Sequence, residues 1–63
     1  LHINMEEEIN EVEIYNVLGV RLHNETSEGS TEKTIDMSGF ENGTYFVRII
    51  TEKEVKTIKI NKI

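Results

Sequence analysis

This chain has no cysteine, no proline and no tryptophan, and its only aspartate is Asp36. The absence of cysteine removes disulfide staples and thiolate zinc sites, although it does not fix the compartment in which the protein works. With no tryptophan and only two Tyr and two Phe, the core has to be thin and built mainly from Ile and Val. Catalytic groups are scarce as well. His2 and His23 stand far apart in sequence on expected strands, so a nucleophile, a base and an orienting acid have no shared element on which to meet. Without a cysteine or a close histidine pair, both histidines read as exposed strand residues rather than metal ligands. The glutamates are numerous enough to pair as acid and base, but no pocket is in prospect to desolvate one of them. Within these residues there is no signal-peptide pattern and no membrane-spanning apolar run, and a signal at the N-terminus of a longer precursor would lie outside them. The expectation is a protein that is not an enzyme, with no catalytic residue, no metal and no cofactor.

What is present is a short, charged, strand-rich chain. Its 63 residues make one domain, and a domain of this size buries only about 60% of its unfolded surface, which leaves marginal stability and no room for a deep cleft. The net charge of −5 is unevenly spread. Residues 1–32 hold eight Glu against Arg21 alone, for −7, whereas residues 33–63 hold six cations against Asp36, Glu41, Glu52 and Glu54, for +2. This reads as a basic tip on an acidic body. The C-terminal lysines Lys53, Lys56, Lys59 and Lys62 are too few, and too mixed with Glu52 and Glu54, to make a nucleic-acid footprint.

Strand signals recur at the spacing of an all-β sandwich or barrel. Strands are expected near residues 1–5, 11–17, 20–25, 33–37, 44–51 and 54–61, about six in all. The charged stretch 6–10 reads as a hairpin loop, Gly19 permits a tight turn, and the polar run 26–32 reads as a mobile loop. Lysines at every third position of the last segment would also suit one face of a helix. The Val, Thr and Ile between them favour a strand, paired with the preceding one through a turn at Glu52-Lys53. Asn24-Glu25-Thr26 and Asn42-Gly43-Thr44 match the glycosylation acceptor pattern, which is too short to carry weight.

The most specific stretch is Ile35-Asp36-Met37-Ser38-Gly39-Phe40-Glu41-Asn42-Gly43-Thr44-Tyr45-Phe46-Val47-Arg48-Ile49. Asp36 and Ser38 offer short side-chain oxygens to nearby backbone N–H groups, and Gly39 and Gly43 supply positive φ, so the chain can reverse sharply. Phe40 should fold beneath that turn as a plug. Tyr45 has the position of a tyrosine corner, its ring packed inward and its hydroxyl bonded to backbone a few residues upstream. Backbone geometry is sufficient reason for Gly19, Gly39 and Gly43, and packing with a hydroxyl bond is sufficient reason for Tyr45.

Taken in order, Val12-Glu13-Ile14-Tyr15-Asn16-Val17-Leu18-Gly19, a polar loop, the 35–49 block and Val55-Lys56-Thr57-Ile58-Lys59-Ile60-Asn61-Lys62 resemble the C-terminal sorting domain of type IX secretion cargo from Bacteroidota. The resemblance spans nearly the whole chain. It implies an immunoglobulin-like antiparallel β-sandwich at the end of a larger exported protein. Such cargo crosses the periplasm, is carried over the outer membrane because the translocon recognises this domain, and commonly loses the domain to a sortase-like protease. The cargo is then secreted or held at the cell surface. Gly19 matches the family's glycine after its Tyr-containing strand, Gly43 and Tyr45 match its Gly-x-Tyr element, and Lys56, Lys59 and Lys62 match its basic terminal strand, where the export signal is concentrated. Asp36, Gly39, Gly43, Tyr45 and Gly19 are thus the expected fold-determining positions, and the three lysines the expected recognition positions.

The family usually begins with a Pro-Asn-Pro element, which is absent here. The first strand and the cleavage region are therefore expected to be missing from a fragment that starts mid-strand. A sandwich without that edge strand exposes unpaired backbone and can recruit a second copy by dimerising or swapping. A fibronectin- or immunoglobulin-like accessory module, for spacing or glycan attachment in a multidomain secreted enzyme, is the alternative reading. It shares the Gly-x-Tyr corner, but the missing core tryptophan and the lysine-rich last strand count against it. A structural end cap of a larger enzyme is a further one, and deleting a cap would lower the stability of the protein it closes.

Overall fold

The computed structural model describes the backbone of residues 1–63 and every side chain except that of Glu28. Four strands, β1 (His2–Asn16), β2 (Arg21–Thr34), β3 (Gly43–Thr51) and β4 (Val55–Lys62), make one antiparallel sheet in the order β2-β1-β3-β4. The chain is all-β, as its sequence indicates.

About six expected segments fit into four strands because the outer hairpin is long and broken in register. The segments expected at 1–5 and 11–17 are two halves of β1, and that at 20–25 falls on one end of β2, whereas of the segment expected at 33–37 only 33–34 belong to β2 and 35–37 lie beyond it. Residues 5–8 of β1 lie between the pairs Asn4↔Glu32 and Ile9↔Ser30, where β2 has only Thr31 to oppose them. Just beyond, residues 27–29 of β2 face only Asn10. Such excess residues are bulges, which bend and twist a ribbon. A straight strand of 15 residues would span about 50 Å, yet the whole molecule is 30 Å along its longest axis, so β1 has to curve.

That curvature builds the core. Along β3, Tyr45, Val47, Ile49 and Thr51 alternate inward. Their direct cross-strand neighbours share the same face, which places Val12 and Ile14 of β1 and Ile58 and Ile60 of β4 beside them. The bent end of the β1–β2 ribbon covers this face, where Ile3 and Met5 line one crevice with Ile49 and Ile58. Ile3, Ile9, Val12, Ile14, Ile35, Met37, Tyr45, Val47 and Ile49 make a single buried cluster. The layering of a sandwich is achieved by bending one sheet over its own apolar side.

Two expected loops are strand instead. The charged stretch 6–10 belongs to β1, and the backbone of 26–32 belongs to β2. Charge does not end a strand when one face looks to solvent and no proline interrupts the ladder. Ile9, fully buried, pins the charged stretch to the core.

Both remaining hairpin turns are held by side chains. The Asn16 carboxamide oxygen accepts from the N–H of Leu18 at 2.9 Å and of Val20 at 3.0 Å, while Gly19 adopts φ +84°. This is the three-residue hairpin loop in which a left-handed glycine closes the turn. At the other end, the Thr51 hydroxyl accepts from the N–H of Glu54 at 3.1 Å, and Thr51 N–H donates to the Glu54 carbonyl at 2.9 Å.

Candidate functional site

Strand order makes β4 an edge. β3 is its only hydrogen-bonded neighbour, the first half of β1 meeting it only through side chains on the core face near Lys56 and Ile58. Its pairing with β3 runs without a break from Gly43↔Lys62 to Ile50↔Val55, whereas β2, the opposite edge, shifts register three times against β1. The chain therefore has one regular free edge and one irregular one.

The alternation of a strand decides where the three lysines stand. Lys56 is opposite Ile49 and Lys62 opposite Gly43, on the core side of the sheet, while Lys59 is opposite Phe46 on the far side. A three-residue spacing that would align them on a helix sends them to alternate faces here. Lys62 donates to the Phe40 carbonyl and is half-buried, and Lys56 and Lys59 are exposed. The expected basic tip is in fact a basic edge, spread along the length of β4. Among the described residues, no carboxylate lies within ion-pairing distance of Lys56, Lys59 or Lys62.

Arg21, Arg48 and Lys33, by contrast, are paired within the fold. Glu13, only 5% exposed, receives Arg21 at 2.9 Å and Arg48 at 3.6 Å. The Arg21 hydrogen bond holds its carboxyl below the ordinary range against the opposing effect of burial, helped by Tyr15 and Arg48. Glu25 is held low by Lys33 and then by His23, whose Nε2 lies 3.0 Å away.

The five residues singled out for the fold occupy three settings. Gly19 closes the β1–β2 turn at φ +84°, and Gly43 opens β3 at φ +153°. Gly39 differs from expectation: its φ is not positive, and a Cβ there would meet nothing within 4 Å. The reversal it was expected to make is carried by its neighbours. Asp36 accepts from the Ser38 N–H at 2.9 Å, and this bond holds its carboxyl below the ordinary range. The Phe40 N–H in turn donates to the Met37 carbonyl at 3.0 Å. Tyr45 is 6% exposed, and its hydroxyl donates to the Glu41 carbonyl. Phe40 lies over it with ring centroids 5.4 Å apart. Asn16 is the structural residue that sequence reasoning passed over. An Asn three positions before a glycine, between two strand patterns, was the available signal.

A shallow groove of about 490 Å³ at the turn end is lined by Asn16, Val17, Leu22, Phe40 and Tyr45 among others. Glu41 and Tyr45 are the titratable residues in its lining, and the Tyr45 hydroxyl is held by the Glu41 carbonyl. Among the described residues, no three His, Asp or Glu side chains converge as a metal site. His2 instead contacts the Thr34 hydroxyl at 3.0 Å. The distinctive surface is thus a regular, unpaired, cationic strand edge, which suits recognition of an extended partner.

A family model described as a secretion system C-terminal sorting domain matches residues 1–62. No curated protein and no solved structure matches the chain. An all-β domain with a basic edge as its last strand, matched from end to end by that model, belongs to the C-terminal sorting domains of type IX secretion, which mark a protein for export.

Proposed function

We propose that this domain carries a larger N-terminal cargo through the periplasm to the type IX translocon, which reads it and passes the cargo across the outer membrane. A sortase-like protease then removes the domain, leaving the cargo secreted or at the cell surface. The domain is substrate throughout and contributes no catalytic group. The observation that carries this reading is β4: an edge strand without bulges whose exposed lysines, Lys56 and Lys59, have no ion-pair partner among the described residues. A strand in that state offers both backbone pairing and charge to a receptor. Gly19, Asp36, Gly43 and Tyr45 hold the frame that presents it.

The test is export of a periplasmic reporter fused to residues 1–63, in a type IX-competent bacterium and in its translocon-deficient mutant. Reporter at the surface or in the medium of the competent strain alone is the expected result. Reporter retained in the periplasm of both strains contradicts it.

A further inference from the structure

We propose that β4 docks an extended acidic strand, which joins the sheet beyond β4 and carries a carboxylate at every third residue. The inference rests on β4 being the recognised element and supplies the chemistry of what recognises it. An antiparallel strand added to β4 would face it residue for residue, with directly opposed side chains on the same side of the sheet. Lys56 and Lys59 would then each require an opposing carboxylate, and Lys62, which also donates to the Phe40 carbonyl, would accept a third. The partner's acidic residues fall at intervals of three, alternating between the two faces as the lysines do. A single acidic face, with carboxylates at every second residue, would meet Lys56 and Lys62 but miss Lys59.

Charge selects this occupant over a second copy of the chain. β4 from Val55 to Lys62 holds three lysines and no acid, so pairing its full length with another β4 about a two-fold axis at Lys59 sets Lys59 against Lys59 and Lys56 against Lys62, which destabilises the cross-strand pairs, and no register gives any of the lysines an opposing acid. Nor does the β2 edge of a second copy fit. Its pairing with β1 is broken three times, and its Glu25 is already held by Lys33 and His23. Lysines on an edge guard it against indiscriminate pairing; here they also specify which strand overcomes that guard.

The probe is a synthetic Thr/Val peptide with Glu at every third residue, titrated into the 63-residue chain and followed by amide shifts and hydrogen exchange. The expected result is shift changes and new amide protection along 55–62, with binding about three- to tenfold weaker for Lys59→Glu. A peptide of the same composition with its Glu residues clustered should bind more weakly still. Equal binding of the two peptides would overturn the spacing, and protection on β2 instead of β4 would overturn the site. Concentration-dependent self-association protecting β4 without peptide would replace the acidic strand by a second copy. Translocon-dependent export of the reporter by a domain that ignores the peptide would defeat this inference while leaving the sorting function intact. Peptide binding along β4 without such export would do the reverse.

Discussion

Gly19 and Gly39 both line turns at the same end of the sheet, yet only Gly19 has a backbone that L side chains avoid. Gly19→Ala should cost about 1 kcal/mol, whereas Gly39→Ala should stay within about 0.5 kcal/mol of the parent. Paired denaturant titrations read the difference, and equal costs would refute the assignment. Tyr45→Phe keeps the buried ring and removes only the bond to the Glu41 carbonyl, so it should lose about 1 kcal/mol, part of it from the carbonyl left unpaired. Glu13, Glu25 and Asp36 titrate below their ordinary values of 4.5, 4.5 and 3.8. A carboxyl whose folded pKa is depressed stabilises the fold fully above its ordinary pKa and loses that contribution as pH falls through the lowered one. Thermal melts should therefore be flat from neutrality down to about pH 5 and drop steeply below about pH 4. Glu13→Gln should make that drop shallower. Its cost at neutral pH should be about 1 kcal/mol, because Arg21 and Arg48 remain roughly half exposed.

The elements differ in how plainly the sequence announces them. β3 and β4 could be read almost to the residue, because the Gly-x-Tyr opening and the inward Val, Ile and Tyr positions obey a two-residue period. β1 and β2 could not. Their bulges at 5–8 and 27–29 shift which side chains face inward, so neither half of the hairpin keeps one period along its length. Polar composition in those stretches then looked like loop, whereas the backbone continues as strand around a few anchors such as Ile9. The lysines show the same limit. Their residue types and positions were legible as recognition candidates, but which face each occupies followed only from the register with β3. Gly39 was misjudged because a glycine in a polar turn looks identical in sequence whether or not its φ is positive. If β4 is the presented edge, its amides should exchange faster than those of β3, which is paired on both sides. Native-state hydrogen exchange showing β4 as protected as β3 would argue against an open edge.

At the scale of the whole molecule, the chain combines a small core with an open cationic edge. Global stability near 0.1 kcal/mol per residue implies about 6 kcal/mol, and Ile14→Ala, which empties a fully buried site, should remove about 3 kcal/mol of it. Loss of the fold and loss of the edge would both block export, so they have to be separated by substitutions that leave the core alone. Lys56 and Lys59 meet that need, being exposed and unpaired among the described residues, whereas Lys62 also supports the Phe40 carbonyl. The most direct measurement is export of a folded reporter fused to the domain with Lys56→Glu and Lys59→Glu together, its fold checked by an unchanged melting temperature. Reporter stranded in the periplasm is the result expected if β4 is what the translocon reads. Undiminished export of the folded double variant would contradict it.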